Sequence, residues 1–272
     1  QRLARVDQVH GVARAAPAEQ PGEQQRVGQP RAPALGGVGV ELGQGGVFQA
    51  GLDGQRGGEE EVSRLILTAS GGPFRETPAA ELAGVTLEQV LDHPTWNMGP
   101  KITIDSATMT NKLFELLEAK WLFDTSNIDA VIEKKSIIHA LAEFRDGSTT
   151  AHFAGVDMKL PIAFALRGEV EEAILPPTDL LSIGALEFLP IEAERYPIWD
   201  IKEHILEHAH LGVVVNAANE EAIHAFQEDK CSFFGMSEMV LDAYKKFEKV
   251  QASNIDEIIQ IDQEVRAYVK QR

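Results

Sequence analysis

The sequence predicts an α/β (α+β) domain followed by a small all-α helical domain, and two observations lead to this fold class. Between residues 62 and 192, short apolar or alternating runs of strand length are separated by stretches with helical spacing. From Tyr196 onwards, apolar residues recur at helical spacing in segments near 198–209, 212–228, 237–249 and 254–270. We therefore expect a sheet-and-helix domain at 62–192 and a helical domain at 196–272.

Residues 1–61 differ in composition from the rest of the chain. Gly, Gln, Pro and Ala dominate this segment, and Lys, Ile, Ser and Thr do not occur in it. Such a segment cannot bury enough apolar surface to offset chain entropy, so we expect a disordered tail. The abrupt change in composition suggests a truncated or spliced gene product in which this tail replaces another N-terminal domain. A genuine low-complexity tail is the alternative.

The charge and the cysteine count restrict the classes of partner. The formal net charge is −17, which argues against nucleic acid or an anionic membrane as a partner. No apolar run suggests a signal peptide or a membrane span. The single cysteine, Cys231, suits a reducing compartment. We therefore expect a cytoplasmic protein.

The first predicted strand, Leu65 to Ala69, ends in Ser70-Gly-Gly. Glycines at the carboxyl end of a strand let backbone N–H groups form a nest for an anion. An ordinary Gly-Pro turn would have the same sequence, and this segment alone does not separate the two interpretations.

A loop is predicted at 93–99, HPTWNMG, by its proline and glycine. It carries His93, Trp96 and Met98, which are unusual on an exposed loop unless they close over a ligand. The alternative is a loop that its tryptophan anchors to the core.

The stretch 101–118, KITIDSATMTNKLFELLE, predicts a short strand at Ile102–Ile104. Ser106 then stands where an N-cap is expected, before a helix that ends near Phe123. A capped helix start, with its free N–H groups, suits a phosphate.

One stripe of this helix is polar. At about 100° per residue, Asn111, Glu115 and Glu118 share a face, and Lys112 lies at its edge. Carboxylates in this arrangement suit a hard divalent cation. A solvated helix face is the alternative interpretation.

The remaining elements follow from periodicity and turn residues. Strands are predicted at Ala130–Ile132, Ser136–Phe144, Thr149–Phe153 and Leu180–Phe188, with a hairpin turn at Asp146-Gly147 and a short helix at 157–166. Asn254 is expected to cap the last helix.

Five further polar residues of these elements are site candidates. His204 and His208 have metal-ligand spacing, but without a third ligand a solvated face is favoured. His139 is interpreted as a satisfied core histidine. Asn216 and Asn219 could reach the lid or the substrate phosphate, or pack at the edge of the core.

Several motifs, in order along the chain, resemble one family. They are SGGPFR at 70–75, HPTWNMG at 93–99, KITIDSATMTNK at 101–112, SIIHALAEFRDGS at 136–148, DMKLPIAFAL at 157–166 and NAANEEAIHAF at 216–226. Together they resemble 1-deoxy-D-xylulose 5-phosphate reductoisomerase, an enzyme of the non-mevalonate isoprenoid route. The resemblance extends from about residue 62 to the C-terminus.

The resemblance implies a role for each matching residue. It assigns Ser70, Ser106, Asn111 and Lys112 to the substrate phosphate and neighbouring hydroxyls, His93 and Trp96 to a lid over the substrate, Met98 and Gly99 to the nicotinamide cofactor, and Glu115 and Glu118 to a metal ion. Of these, His93, Lys112 and Glu115 are the implied catalytic residues.

The implied activity is the conversion of 1-deoxy-D-xylulose 5-phosphate to 2-C-methyl-D-erythritol 4-phosphate. It uses NADPH and Mg²⁺ or Mn²⁺, and the resemblance implies a homodimer for the intact enzyme.

The chain departs from the pattern of this family in three places. The Asp-Ser-Glu motif with the other two metal carboxylates does not occur, and no Gly-x-Gly-x-x-Gly fingerprint follows a predicted strand. Glu133-Lys-Lys-Ser136 stands where the family more often has His-Pro-Gln-Ser. We therefore expect this polypeptide alone to be inactive. The alternative function is a non-catalytic phosphosugar-binding or dimerising remnant, and a different sugar-phosphate isomerase is a weaker one.

Overall fold

A mixed five-stranded sheet is the centre of the computed structural model, which describes residues 62–167 and 172–272. Its strands are β1 Val62–Ala69, β2 Ile128–Glu133, β3 Ile138–Phe144, β4 Thr149–Phe153 and β5 Phe188–Leu189. The order across the sheet is β4-β3-β1-β2-β5. β1 runs parallel to β2 and antiparallel to β3. The predicted tail, at residues 1–61, lies outside the described residues.

The parallel pair determines where a site can form. β1 and β2 end at the same edge of the sheet, and β3 starts there because it runs antiparallel to β1. The segments after β1 and β2 therefore lie side by side at this edge, which is where ligands bind in α/β sheets. Apolar residues alternate along β3, and Ile138, Ala140, Ala142 and Phe144 are all buried.

Most of the predicted strands are confirmed. β1, β2, β3 and β4 cover the predicted segments, and β3 and β4 are joined by the predicted turn, where Gly147 has a φ of +84°. The α/β fold class, with a helical segment after it, is confirmed as well.

Helices make up most of the chain between β1 and β2 and again after β5. They are α1 Leu87–Leu91, α2 Pro100–Thr108, α3 Thr110–Phe123, α4 Lys159–Arg167, α5 Leu180–Ile183, α6 Lys202–Glu207, α7 Gly212–Gln227, α8 Phe233–Lys246 and α9 Ile255–Val269, and short 3₁₀ helices lie at Ala79–Gly84, Pro197–Ile201 and Ala209–Leu211. Among the described residues, no helix combines the length and the apolar character that crossing a bilayer requires.

The strand predicted at Ile102–Ile104 is wrong, because these residues lie within α2. Pro100 stands at the start of this helix, where its fixed φ favours helical geometry. Thr103 and Ile104 are buried, so packing outweighs the strand preference of their branched side chains.

The N-cap predicted at Ser106 is also wrong. Ser106 lies in the last turn of α2, and the break between α2 and α3 falls at Met109, which has a φ of +68°. The Ser106 hydroxyl therefore does not mark the positive end of a helix, and any anion that it binds is not held by a helix start.

The strand predicted at Leu180–Phe188 is wrong over most of its length. Asp179 caps α5 by accepting the N–H of Leu181 at 3.0 Å, and Gly184, with a φ of +65°, ends this helix. Only Phe188 and Leu189 join the sheet, beside β2.

The C-terminal helices follow the predicted segments with small differences. Ser232 caps α8 by accepting the N–H of Gly235, so this helix begins at Phe233, before the predicted 237. Asn254 caps α9 by accepting the N–H of Glu257 at 3.0 Å, as predicted. Buried residues from the sheet and from these helices form one continuous cluster, from Leu65 to Val269. The boundary at 192–196 stays a prediction.

Candidate active site

A cavity of about 420 Å³ opens at the edge of the sheet where β1 and β2 end and β3 begins. Most of the predicted site residues line it, namely Ser70, Trp96, Met98, Gly99, Ser106, Asn111, Lys112 and Glu115. They come from the end of β1, the loop 93–99 and both helices after it. The chain fold therefore brings these segments to one place, while the individual roles of the residues stay predictions.

Three polar side chains form a triangle beside this cavity: Ser70 and Ser106 line it, and His93 is not among its lining residues but contacts both serines. The Ser70 Oγ lies 3.0 Å from the His93 Nε2 and 3.3 Å from the Ser106 Oγ, and the Ser106 Oγ lies 3.4 Å from the same nitrogen. All three groups are neutral when the imidazole is neutral, and each can donate a hydrogen bond. Burial, helped by the nearby Arg75 guanidinium, lowers the pKa of His93 to about 4.

The glycines after β1 bring Ser70 close to α2. Gly71 and Gly72 have φ values of +80° and +65°, and a Cβ on Gly72 would lie 2.8 Å from the Ala107 Cα. Only glycine allows this approach without a shift of the backbone. The N–H of Gly72 donates to the Ser70 Oγ at 3.2 Å. The two glycines therefore place the Ser70 hydroxyl beside Ser106, and the anion nest remains an interpretation.

The start of α3 forms another wall of the cavity. Lys112 is buried, and its ammonium forms a salt bridge with the Glu115 carboxylate. The Asn111 Nδ2 donates to the Glu115 Oε1 at 2.7 Å. The predicted polar stripe is therefore present, and within it the Lys112 ammonium is paired with the Glu115 carboxylate. Glu118 is half-buried one turn further on and does not line the described cavity.

The lining of the described cavity offers one carboxylate to a metal ion, that of Glu115. Among residues 62–167 and 172–272, no group of three or more His, Cys, Asp or Glu side chains could hold a metal ion. The Glu115 carboxylate already accepts hydrogen bonds from Asn111 and Lys112. Mg²⁺ is usually held by one or two carboxylates together with waters and substrate oxygens, so Glu115 could supply only part of its coordination shell.

The histidine pair on the C-terminal helices fits the solvated interpretation. His204 and His208 are both exposed, and the His204 Nδ1 lies 2.8 Å from the Tyr244 hydroxyl. Asn219 is buried, and its Nδ2 donates to the Asp105 Oδ1 at 2.7 Å. Asn219 therefore packs against the residue that precedes Ser106 rather than facing the cavity.

The candidate residues taken from the sequence omitted Ser136, which lies in the turn between β2 and β3 and lines the cavity. It has a φ of +54°, and its buried Oγ has no hydrogen-bond partner among the described residues. The Glu133 carboxylate holds this turn by accepting the N–H groups of Lys135, Ile137 and Ile138 at 2.9, 2.9 and 3.3 Å. The local sequence carries no signal for this arrangement, since it depends on the order of strands in the sheet.

His139 also lines the cavity, which the interpretation as a core histidine did not anticipate. Its Nε2 lies 3.2 Å from the Ala154 carbonyl oxygen, so the expected hydrogen bond is present. Burial lowers the pKa of His139, so the imidazole is held in its neutral form. The position of His139 near the start of β3, beside the end of β1, was the signal that could have placed it at the cavity.

A mixed sheet with a cavity that combines hydroxyl, imidazole and amide donors with a carboxylate is typical of enzymes that bind small anionic substrates. Two family models match the chain: 1-deoxy-D-xylulose 5-phosphate reductoisomerase C-terminal domain at residues 40–123, and DXP reductoisomerase C-terminal domain at residues 153–268. The chain belongs to the 1-deoxy-D-xylulose 5-phosphate reductoisomerase family.

Similar curated proteins are named 1-deoxy-D-xylulose 5-phosphate reductoisomerase. The reductoisomerase of Nautilia profundicola is 57% identical over 207 residues, which cover 76% of this chain and 57% of that protein. The one from Campylobacter curvus is 52% identical over 208 residues, covering 76% and 57%. The chain thus spans somewhat over half the length of the curated relatives that it matches.

Solved structures agree in fold. A DOX-P reductoisomerase in complex with NADPH, fosmidomycin and magnesium has a TM-score of 0.72 at 31% identity, covering 78% of this chain and 55% of that one. The 1-deoxy-D-xylulose 5-phosphate reductoisomerase of Zymomonas mobilis, in complex with NADPH, has a TM-score of 0.70 at 34% identity, covering 77% and 55%.

Proposed function

We propose that this chain provides the substrate-binding part of a 1-deoxy-D-xylulose 5-phosphate reductoisomerase. The observation that carries the proposal is the convergence of Ser70, His93 and Ser106 beside a cavity whose wall carries Glu115. The reaction of the whole enzyme would convert 1-deoxy-D-xylulose 5-phosphate to 2-C-methyl-D-erythritol 4-phosphate. Family membership supports this choice of substrate over other phosphosugars.

The phosphate of the substrate would bind at the triangle of Ser70, His93 and Ser106. The two hydroxyls can donate to phosphate oxygens, the imidazole N–H can donate to the hydroxyls, and the cavity partly shields the serines from water. Hydrogen bonds to a charged acceptor are shorter and stronger than neutral ones. Lys112 and Asn111 would contribute from α3, where they also hold Glu115.

The hydroxyl end of the sugar would face Glu115, and the loop 93–99 would cover it. Trp96, Met98 and Gly99 line the cavity from this loop. We infer that Trp96 packs over the substrate and that Met98 and Gly99 face the nicotinamide in the whole enzyme. NADPH and Mg²⁺ or Mn²⁺ would be its cofactors, because the structural relatives hold NADPH and magnesium.

The metal ligands are incomplete in the described residues, and this bears on activity. Glu115 provides one carboxylate and Glu118 lies near it in sequence, yet no group of three suitable ligands occurs among the described residues. We propose that this polypeptide alone binds the phosphosugar without turning it over. A homodimer, a cytoplasmic location and separate domains at 62–192 and 196–272 belong to the same proposal.

Binding of 1-deoxy-D-xylulose 5-phosphate to the full chain tests the proposal by calorimetry. Lys112→Ala removes a buried cation at the cavity wall and leaves the Glu115 carboxylate with Asn111 as its remaining partner. A charge-assisted hydrogen bond contributes on the order of 1.5–3 kcal/mol, so we expect binding to weaken about tenfold or more. Lys120→Ala, on the same helix but outside the cavity, is the control. A dissociation constant that Lys112→Ala leaves unchanged contradicts the assignment.

The second candidate function is a phosphosugar-binding or dimerising protein without catalysis. The engagement of Glu115 by Asn111 and Lys112 favours it, because a carboxylate held in this way is less available to a metal ion. Adding the N-terminal part of a full-length relative to the chain separates the two candidates, because restored turnover supports the substrate-binding part of the enzyme and the second candidate predicts none.

A further inference from the structure

The hydrogen bonds of His93 determine which of its ring nitrogens carries the hydrogen. The Nδ1 faces the N–H groups of Thr95 and Trp96, at 3.1 and 2.9 Å. A ring nitrogen that accepts hydrogen bonds carries no hydrogen, so the neutral ring has its hydrogen on Nε2. The side chain of His93 therefore fastens the loop that it begins.

The Nε2–H of this tautomer points to the serine pair. It lies 3.0 Å from the Ser70 Oγ and 3.4 Å from the Ser106 Oγ, and it donates to them. The Ser70 Oγ also accepts the N–H of Gly72 at 3.2 Å. Because Ser70 already accepts two hydrogen bonds, its own hydroxyl hydrogen is directed to Ser106 or into the cavity. The serines are thus oriented as donors.

We propose that His93 is a neutral two-sided positioning residue: its Nδ1 holds residues 95 and 96 of the loop, and its Nε2–H orients Ser70 and Ser106 as donors to an anion. This inference rests on the proposed function for the identity of the anion, a phosphate group. It excludes His93 as a general base at Nε2, since that nitrogen carries the hydrogen. The order of the loop and the orientation of the anion site then depend on one side chain.

The surroundings of the ring agree with a neutral state. A protonated imidazole would turn Nδ1 into a donor that faces two other N–H donors, and both bonds would be lost. Burial and the Arg75 guanidinium oppose protonation as well, and they hold the pKa of His93 near 4. Arg75 itself donates to the Ser70 carbonyl oxygen at 2.9 Å, so a cation lies next to this end of the cavity.

Two substitutions separate the two sides of the ring. In His93→Asn, the side-chain oxygen is placed to accept N–H groups two and three residues on, as in Asx turns, but no group replaces the Nε2–H. In His93→Gln, the amide N–H₂ extends towards the position of Nε2, while the acceptor close to the backbone is lost. Each variant therefore retains one of the two proposed functions of His93.

The experiment uses the full chain and inorganic phosphate as the probe. Nitrogen NMR of labelled histidine in the wild-type protein should show a bare Nδ1 and a hydrogen on Nε2 between about pH 5 and pH 8. His93→Asn should keep the slow amide exchange of Thr95 and Trp96 and weaken phosphate binding by about tenfold, because the Ser70 and Ser106 hydroxyls are no longer held as donors to the anion. His93→Gln should accelerate the exchange of both amides and weaken phosphate binding less.

The following results would contradict the inference or one part of it. A hydrogen on Nδ1 in the wild-type protein overturns the inference, even if neither variant folds. Equal acceleration of amide exchange in both variants also overturns it. Absence of phosphate binding by the wild-type protein overturns the anion-binding half together with the proposed function, whereas phosphate binding with the opposite tautomer overturns the inference alone.

Discussion

At the scale of single residues, Glu133 has a buried carboxylate that stabilises a turn through backbone hydrogen bonds. Its carboxylate is fully buried at the end of β2 and accepts three backbone N–H groups from the turn that contains Ser136. Backbone donors can satisfy a buried carboxylate in this way. The turn keeps Ser136 at a positive φ, a conformation that a residue with a Cβ adopts only when its surroundings impose it.

Glu133→Gln should destabilise the protein. The glutamine amide offers one acceptor oxygen and places an N–H₂ group against backbone donors, so at least one charge-assisted hydrogen bond is lost. We expect the free energy of unfolding to fall by about 1.5–3 kcal/mol, measured by urea denaturation. Glu187→Gln is the matched control, because Glu187 is exposed and makes a surface salt bridge with Lys134, worth about 0–1 kcal/mol. Equal effects of the two changes would contradict the role given to Glu133.

At the scale of elements, α7 and α2 are joined by a buried polar contact. Asp105 is buried on α2, where its two oxygens accept from Asn219 of α7 at 2.7 Å and from Lys101 at 2.8 Å. Burial raises the pKa of Asp105, and Lys101 and Asn219 oppose that rise. Because Ser106 follows Asp105 directly, the contact with the C-terminal helices also places one corner of the cavity.

Asn219→Ala should weaken this contact. It leaves a buried carboxylate oxygen without its donor, at a cost of about 1–3 kcal/mol, and the midpoint of thermal unfolding should fall. Asn216→Ala, three residues earlier on α7 at an exposed position, serves as control and should change the midpoint little. Similar losses in both variants would contradict the role given to the contact with Asp105, because alanine has the higher helix propensity and the exchange itself should not destabilise the helix.

The elements also differ in how well the sequence predicts them. In the β3–β4 hairpin, burial alternates along β3 and an Asp-Gly turn follows it, so local pattern and tertiary structure agree. At Ile102–Ile104 the local pattern and the tertiary structure disagree. The branched side chains favour a strand, but these residues form a helix that buries Ile104 in the core. The burial and the positive φ of Ser136 do not follow from the motif that it begins, because they depend on which strands are neighbours.

At the scale of the whole molecule, the described chain has the architecture of its family over residues 62–272 but an incomplete set of metal donors. The candidate site residues from the sequence come together, because their motifs lie in segments that follow neighbouring strands. Their pairing differs from the expectation: Lys112 contacts Glu115, and Ser106 contacts Ser70 and His93. Side-chain pairing of this kind depends on distances that a motif does not contain.

The full chain should show no NADPH oxidation when 1-deoxy-D-xylulose 5-phosphate and Mg²⁺ or Mn²⁺ are supplied. Glu115 offers one carboxylate, and described residues form no group of three suitable ligands, so the metal should bind weakly at ordinary concentrations. Absorbance of NADPH over time is the measurement, and a full-length relative assayed in parallel is the control. Turnover at ordinary enzyme rates would overturn the proposal that this chain alone is inactive.

Ser136 brings stability and ligand binding into conflict at one position. Its buried hydroxyl has no hydrogen-bond partner within the part of the chain that the structure describes, and its backbone has a positive φ, so both features cost folding free energy. Glycine at this position would remove both costs, and selection for thermal tolerance alone would favour it. Selection for a polar group at the cavity wall opposes that change. A population of variants evolving without substrate should therefore lose this serine early, and one evolving under demand for substrate should keep it and gain stability elsewhere.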